Sequence, residues 1–272
     1  MDNTKIEWCE TTWNPVTGCY HNCPYCYARR IAERFGRYEA VDGVNIKFLS
    51  KLACYSSNIV VEKRPNNPYP AKFAPTFHRY RLNEYEKKKG RNIFVCSMAD
   101  LFGDWVPDSW IEEVFAACRR APQHNYIFLT KNFMRASEFR YEKNWWVGRT
   151  ITHDEPCGNG DKNLYLCYGI SMSAESTFMR HPNTFISIEP IQSEIPDLPY
   201  YAHEYGYRWV IVGAETGNRK ERVIPKREWI EKIVEDCRFR NVPVFMKSSL
   251  TDIWGEPLIQ EFPEGLRRHP CK

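Results

Sequence analysis

Three cysteines crowd into one short stretch of this chain, Gly18-Cys19-Tyr20-His21-Asn22-Cys23-Pro24-Tyr25-Cys26-Tyr27. The spacing is C-x3-C-x2-C, with an aromatic residue just before the last cysteine. Three thiolates this close can hold three corners of a [4Fe–4S] cube, a cluster usually held by four cysteines. No fourth cysteine lies close by, so one iron would stay open for a substrate or cofactor. A zinc site of three cysteines and one histidine would have to use His21 or the distant Cys9. Gaps of two and three residues in one run, without a second C-x2-C, fit zinc poorly. A redox dithiol and buried structural thiols are the other readings. The spacing, the aromatic residue, the helical pattern that follows and the rest of the chain agree best with the cluster.

A chain of 272 residues is one large domain or two small ones, long enough for a proper core. Nine Trp, sixteen Tyr and fifteen Phe argue for a folded chain with aromatic-lined surfaces or pockets. The amino terminus, Met1-Asp2-Asn3-Thr4-Lys5-Ile6-Glu7, has no apolar signal region. No window offers the run of about 18 apolar residues that a membrane span needs. Eleven cysteines without a secretory signal point to a reducing, cytoplasmic setting in which they serve as thiols or metal ligands. The net charge of +4 (38 minus 34) permits a nucleic-acid partner without requiring one.

Continuous apolar runs predict buried parallel strands: 93–98, 126–130, 145–148, 185–188, 209–213 and 242–246, with a first strand within 12–16. Helical patterns fall between them. Ser109 and Glu112 make a capping box before Ile111, Val114, Phe115 and Cys118. Ile230, Ile233, Val234 and Cys237 repeat in the same way before Asn241, a plausible stop. Ala174 to Arg180 is a shorter candidate. After the cysteines, Pro24 suits a first turn, Ala28, Ile31, Ala32 and Phe35 form a stripe, and Gly36 can end the helix. The alternation implies βαβ units and an α/β fold, a partial (β/α)6 TIM-type barrel in one domain over 1–272. Segments 38–92 and 152–172 would be loops or insertions over the barrel mouth.

In such barrels the active site lies at the carboxyl ends of the strands. Polar residues stand there: Asp100, either an acceptor for the ammonium of a ligand or a turn residue; Lys131, either a site cation or only a solvated charge; and Arg149, either a bidentate carboxylate partner or a surface ion pair. Glu189 and Glu215 emerge straight from buried strands, which is expensive unless they are paired or used. Lys247 could neutralise them. Arg29, Arg30, Arg34 and Arg37 on the helix after the cysteines, the run Lys87-Lys88-Lys89-Gly90-Arg91, and the aromatics Tyr55, Tyr69, Phe73, Phe77 and Tyr80 lean weakly towards nucleic acid; solvated charge with core aromatics is the competing reading. Cys54, Cys96, Cys157 and Cys167 are further thiols, best taken as core or surface groups.

The chain resembles the radical S-adenosylmethionine (SAM) superfamily and, more closely, a phage- and bacterial-genome family of small three-cysteine proteins. The matching pieces are Ile6-Glu7-Trp8, Thr12-Trp13-Asn14-Pro15-Val16-Thr17-Gly18-Cys19, Cys26-Tyr27-Ala28, Ser97-Met98-Ala99-Asp100-Leu101-Phe102, Leu129-Thr130-Lys131, Ser187-Ile188-Glu189-Pro190 and Val210-Ile211-Val212-Gly213-Ala214-Glu215-Thr216-Gly217. The resemblance implies a radical SAM core, a [4Fe–4S] cluster on Cys19, Cys23 and Cys26, and SAM as cofactor. It places Tyr25 by the adenine and the polar strand-end residues around SAM. One departure is Gly148-Arg149-Thr150-Ile151-Thr152, where many relatives carry a small hydroxyl residue and a glutamate. A reductant such as flavodoxin or ferredoxin, a companion protein, and a nucleic-acid or nucleotide-like substrate met in DNA repair or modification complete the expectation, with a distant likeness to spore photoproduct lyase. The rival expectation is a non-catalytic, zinc-stabilised module that binds nucleic acid or a phage partner.

Overall fold

Short runs of β-branched and aromatic residues become parallel strands, and amphipathic helices carry the chain back between them. The computed structural model describes residues 4–38, 40–41, 44–45, 59–152, 181, 183–195, 207–255 and 257–266. It divides into two units, residues 1–132 and 133–272, and both are of mixed α/β type.

In the first unit the elements are β1 (Thr11–Trp13), β2 (Val16–Thr17), α1 (Tyr27–Phe35), β3 (Ala40–Val41), β4 (Val44–Asn45), β5 (Ile59–Val61), β6 (Thr76–His78), β7 (Asn92–Val95), α2 (Asp108–Arg120) and β8 (Asn125–Thr130). Strands β1, β7 and β8 pair in parallel, with Thr12 opposite Phe94 and Phe94 opposite Ile127. The expected first strand is split. β1 ends at Trp13, Asn14-Pro15 turns the chain, and β2 joins a second small sheet by pairing antiparallel with β6, which β5 flanks in parallel. β3 and β4 pair as an antiparallel ribbon.

Helix α2 makes the crossover from β7 to β8, burying Trp110, Ile111, Val114, Phe115, Ala117 and Cys118. The capping box expected of Ser109 and Glu112 does not form. Pro107, extended at φ −62°, is the N-cap, and no side chain caps the helix. The Trp110 and Ile111 N–H groups reach the Pro107 carbonyl at 3.0 and 3.4 Å, so Ser109 already lies inside the first turn. In α1, Ala28 and Ala32 face the core cluster with Phe73 and Met98, but Ile31 and Phe35 of the expected stripe are exposed. Pro24 precedes the helix rather than opening it.

The second unit holds α3 (Phe133–Ser137), β9 (Trp145–Ile151), β10 (Thr184–Ile188), β11 (Val210–Val212), α4 (Arg227–Phe239), β12 (Val244–Met246) and α5 (Thr251–Trp254). β9 to β12 pair side by side, all parallel. Phe185, Trp209 and Phe245 pack in the core. Gly148 leaves room for the Phe185 ring, which a Cβ there would meet at 2.4 Å. Helix α4 ends as its pattern predicts. Asn241 takes the left-handed conformation at φ 54°, its N–H bonds to the Arg238 carbonyl, and the Val242 N–H bonds to the Cys237 carbonyl, a Schellman closure. The helix expected over 174–180 and the thiols Cys54, Cys157 and Cys167 lie outside the described residues, as do parts of both expected insertions. No helix among the described residues is long and apolar enough to cross a membrane.

Candidate cofactor-binding site

The cysteine loop is anchored from both sides before it begins. The Asn14 side-chain carbonyl accepts from the Ser97 hydroxyl at 3.1 Å and from the Met98 N–H at 3.0 Å. The Cys96 N–H donates to the Trp13 carbonyl at 2.7 Å, and the Gly18 N–H to the Met98 carbonyl at 2.9 Å. The stretch 12–19 is thus clamped onto 96–99, just beyond the carboxyl end of β7. Gly18 has φ +88°, and a Cβ there would lie 2.3 Å from the Ala74 carbonyl oxygen. Only glycine suits both the left-handed backbone and the close approach. Cys19 follows, its N–H on the Phe73 carbonyl at 3.3 Å.

Between the first two cysteines Asn22 turns the loop at φ 54°, a conformation asparagine tolerates better than most residues. Cys26 is the N-cap of α1, and its sulfur accepts from the Arg29 N–H at 3.3 Å. A helix N-terminus is a favourable place for a negative sulfur. Arg29 ties the helix back to the loop by donating to the Cys19 carbonyl at 3.3 Å. All three thiols are free and half-buried. Burial pushes the Cys19 thiol up to about 12, with negative charge on Asp100, Cys23 and Cys26 adding to the rise and the His21 N–H partly offsetting it. A metal at this loop would remove that penalty, since it binds the thiolate.

Asp100 is the hub beside the loop. It is 5% exposed. One carboxylate oxygen accepts from the Thr130 hydroxyl at 2.7 Å and the Phe102 N–H at 3.1 Å. The other meets His21 Nε2 at 2.8 Å and the Lys131 N–H at 2.9 Å. Burial alone would raise its pKa, but the His21, Thr130 and Lys131 contacts together hold it below the ordinary carboxylate range. Its oxygens are engaged inside the protein, so it acts as an internal anchor rather than as a ready acceptor for a ligand ammonium. His21 also packs edge-on to Trp105, ring centres 4.9 Å apart, as does Tyr20 at 5.5 Å.

Lys131 carries its ammonium 5.7 Å from the centre of the Tyr25 ring. Burial lowers its pKa, opposed by the negative charges of Cys23, Asp100, Cys19 and Cys26. It is therefore a cation of the cysteine loop, not the solvated charge that the sequence also allowed. Cys96 is buried, and burial pushes its thiol up to about 12, which makes it an inert core group.

The second unit places its polar residues at the carboxyl ends of its own strands. Lys247, after β12, donates to the Glu189 carboxylate, after β10. Their aliphatic stems cover Gly213 between them, where a Cβ would meet Lys247 Cδ at 3.0 Å and Glu189 Cγ at 3.5 Å. Glu215 is closed off. Arg219 grips it at 2.7 and 2.8 Å, and Gln192 approaches at 3.5 Å. The Arg219 hydrogen bonds outweigh the burial penalty and lower its pKa. Arg149 lies within β9, opposite Ile186, rather than after the strand, with its guanidinium 6.0 Å from the Phe133 ring centre.

Cys19, Cys23, Cys26, Tyr25, Asp100 and Lys131 thus come together in the first unit. Glu189 and Lys247 come together in the second, with Glu215 beyond the end of β11 and Arg149 within β9. Sequence reasoning missed His21 as the Asp100 partner, Thr130 as its second donor, and Arg219. The only trace of Arg219 was its distance of four residues from Glu215. Among the described residues no three His, Cys, Asp or Glu side chains are gathered as a single-ion site. A cluster makes a different demand, since each thiolate binds its own iron. Three thiols on one anchored loop, beside a half-buried cation, suit that donor set.

Fold and site together define an α/β protein that presents a three-thiol loop beyond the carboxyl ends of parallel strands. A family model described as a protein of unknown function, DUF5131, matches residues 3–259, and the chain belongs to that family. No curated protein and no solved structure matches the chain.

Proposed function

We propose that the protein is a radical SAM enzyme with a partial β/α-barrel core, acting on a nucleic-acid or nucleotide-like substrate in repair or modification. The observation that carries this reading is the cysteine loop: three half-buried thiols at C-x3-C-x2-C spacing, clamped beyond the carboxyl end of β7. Bound there, a [4Fe–4S] cluster would supply, from a reductant such as flavodoxin or ferredoxin, the electron that cleaves SAM to methionine and a hydrogen-abstracting 5′-deoxyadenosyl radical.

The chain's own residues divide the remaining work. Cys19, Cys23 and Cys26 would hold the cluster, one iron each. Lys131 sets a positive charge against the thiolates and orders Tyr25, which by analogy with the superfamily borders the adenine. Asp100 holds His21 and the start of the Lys131 turn in place. In the second unit Lys247 pairs with Glu189, and Arg219 keeps Glu215 as a positioning group.

The test is anaerobic reconstitution with iron and sulfide, then dithionite and SAM, with 5′-deoxyadenosine as the readout. The expected result is a brown protein that forms 5′-deoxyadenosine, lost in Cys23→Ala. A colourless protein holding one zinc and leaving SAM intact would replace this reading with a binding module.

A further inference from the structure

Helix α1 wears its large side chains outward. Its inner face is made of Ala28 and Ala32, both buried. Its outer face carries Tyr27, Ile31 and Phe35 at 43%, 37% and 57% exposure, and Tyr20 and Tyr38 beside it are 42% and 41% exposed. Among the described residues only Ile224 and Phe239 are other large apolar side chains left this open. Positions 27, 31 and 35 are four apart and fall on one side of the helix.

Cations are interleaved with these rings. Arg30, Arg34 and Arg37 are exposed. The helix's one acid, Glu33, lies 3.8 Å from Arg29. Arg34 sits 5.2 Å from the Phe35 ring centre, and the Lys72 ammonium 5.3 Å from that of Tyr38. The Tyr27 ring is pinned by its hydroxyl, which donates to the Ser97 carbonyl at 2.6 Å. Exposed flat rings beside guanidinium groups that no carboxylate among the described residues neutralises form a surface complementary to a chain of phosphates bearing stackable bases.

We propose that this face of α1 binds single-stranded nucleic acid, with bases stacked on Tyr27, Phe35 and Tyr38 and phosphates held by Arg30, Arg34 and Arg37. Because Cys26 caps the start of α1, the bound strand is led past the cysteine loop. The inference rests on the nucleic-acid side of the proposed function and is independent of its redox chemistry. An anionic membrane surface suits the face less well, since it is one nine-residue helix bordered by tyrosine hydroxyls.

The test is fluorescence anisotropy of the full-length chain, without and with the reconstituted cluster, using labelled oligo-dT of about 12 nucleotides, within the usual span of single-strand sites. Binding should exceed that of the matching duplex and weaken with salt. Arg30→Glu/Arg34→Glu/Arg37→Glu should reduce affinity at least about tenfold and flatten the salt slope by about two, given roughly 0.7 per phosphate contact on a single strand. Phe35→Ala should cost about tenfold, and Phe239→Ala, exposed on α4, should leave binding unchanged. Variant folding is checked by circular dichroism. Absence of binding at low salt, equal binding by wild type and the α1 variants, or binding to phosphatidylserine vesicles with none to oligonucleotide would each overturn the proposal. Binding that persists when SAM is not cleaved would keep the surface and remove only the radical chemistry.

Discussion

Asp100 concentrates more of the site than any other single residue, because one buried carboxylate satisfies a hydroxyl, two backbone N–H groups and a histidine. Truncating it strands the Thr130 hydroxyl and the Phe102 N–H, both on buried residues. A buried donor left unpaired costs about 1–3 kcal/mol, and breaking a buried charged network costs about 3–5 kcal/mol. Asp100→Ala should therefore lose about 3–5 kcal/mol in urea unfolding, whereas Thr130→Val, which removes one donor and keeps the carboxylate, should lose about 1–2 kcal/mol. Equal losses for the two would mean that the network does not act through Asp100. His21→Ala tests the other arm. If Asp100 orients the cysteine loop through His21, the Asp100→Asn/His21→Ala double variant should lose less than the sum of the single variants.

The elements around the loop were legible in outline. β7, β8, β10, β11 and α4 appear where apolar runs and periodicity place them, and Asn241 closes α4 as predicted. What the sequence hid was pairing between distant segments. Nothing local shows that Asn14 will bridge to Ser97 and Met98, or that the first strand will break at Trp13 so that β2 can serve another sheet. Of the residues read as a weak nucleic-acid signal, Arg30, Arg34 and Arg37 are exposed on and beside α1, but the aromatics named with them are not all open. Phe73 and Phe77 are core residues. The run Lys87–Arg91 precedes β7, at the end of that strand opposite the cysteine loop. The open aromatics lie on α1 instead, where the pattern of Ile31 and Phe35 read as an inward stripe. Gly18 shows the same dependence on a distant partner, because its need for glycine is set by the Ala74 carbonyl. Gly18→Ala should destabilise the chain by at least about 3 kcal/mol, more than left-handed strain of about 1–2 kcal/mol alone, and should lower iron uptake on reconstitution. Asn241→Gly, by contrast, relieves a left-handed residue and should leave stability unchanged or slightly raised. A well-folded, iron-loading Gly18→Ala protein would refute the anchoring role given to this turn.

At the scale of the molecule, buried histidines make stability depend on mildly acid pH. His78 is fully buried, with Nε2 2.8 Å from the Thr17 hydroxyl, and burial, with Arg81 nearby, holds its pKa well below 6.5. His124, fully buried against the Tyr85 carbonyl, and His181 in the second unit are lowered as well, in each case chiefly by burial. Each group binds a proton more readily in the unfolded chain than in the folded one. As pH falls below about 6.5, the ordinary histidine value, the unfolded state takes up protons first and stability declines. The decline continues until pH passes each lowered folded value. Above about 7.5 all three are neutral in both states and contribute no slope. Urea midpoints measured at matched ionic strength should therefore fall steadily between about 6.5 and 5, a window in which Asp100 remains ionised because its pKa lies lower still, and should fall again above about pH 8, where the unfolded thiols ionise while Cys19 and Cys96, raised to about 12 in the fold, do not. His78→Gln removes one of the three groups, so its midpoint should fall less steeply over that window, even if it starts lower for loss of packing. A parallel fall in wild type and variant would show that His78 is protonated as easily in the folded protein as outside it, and would contradict its burial on β6 against Thr17 of β2.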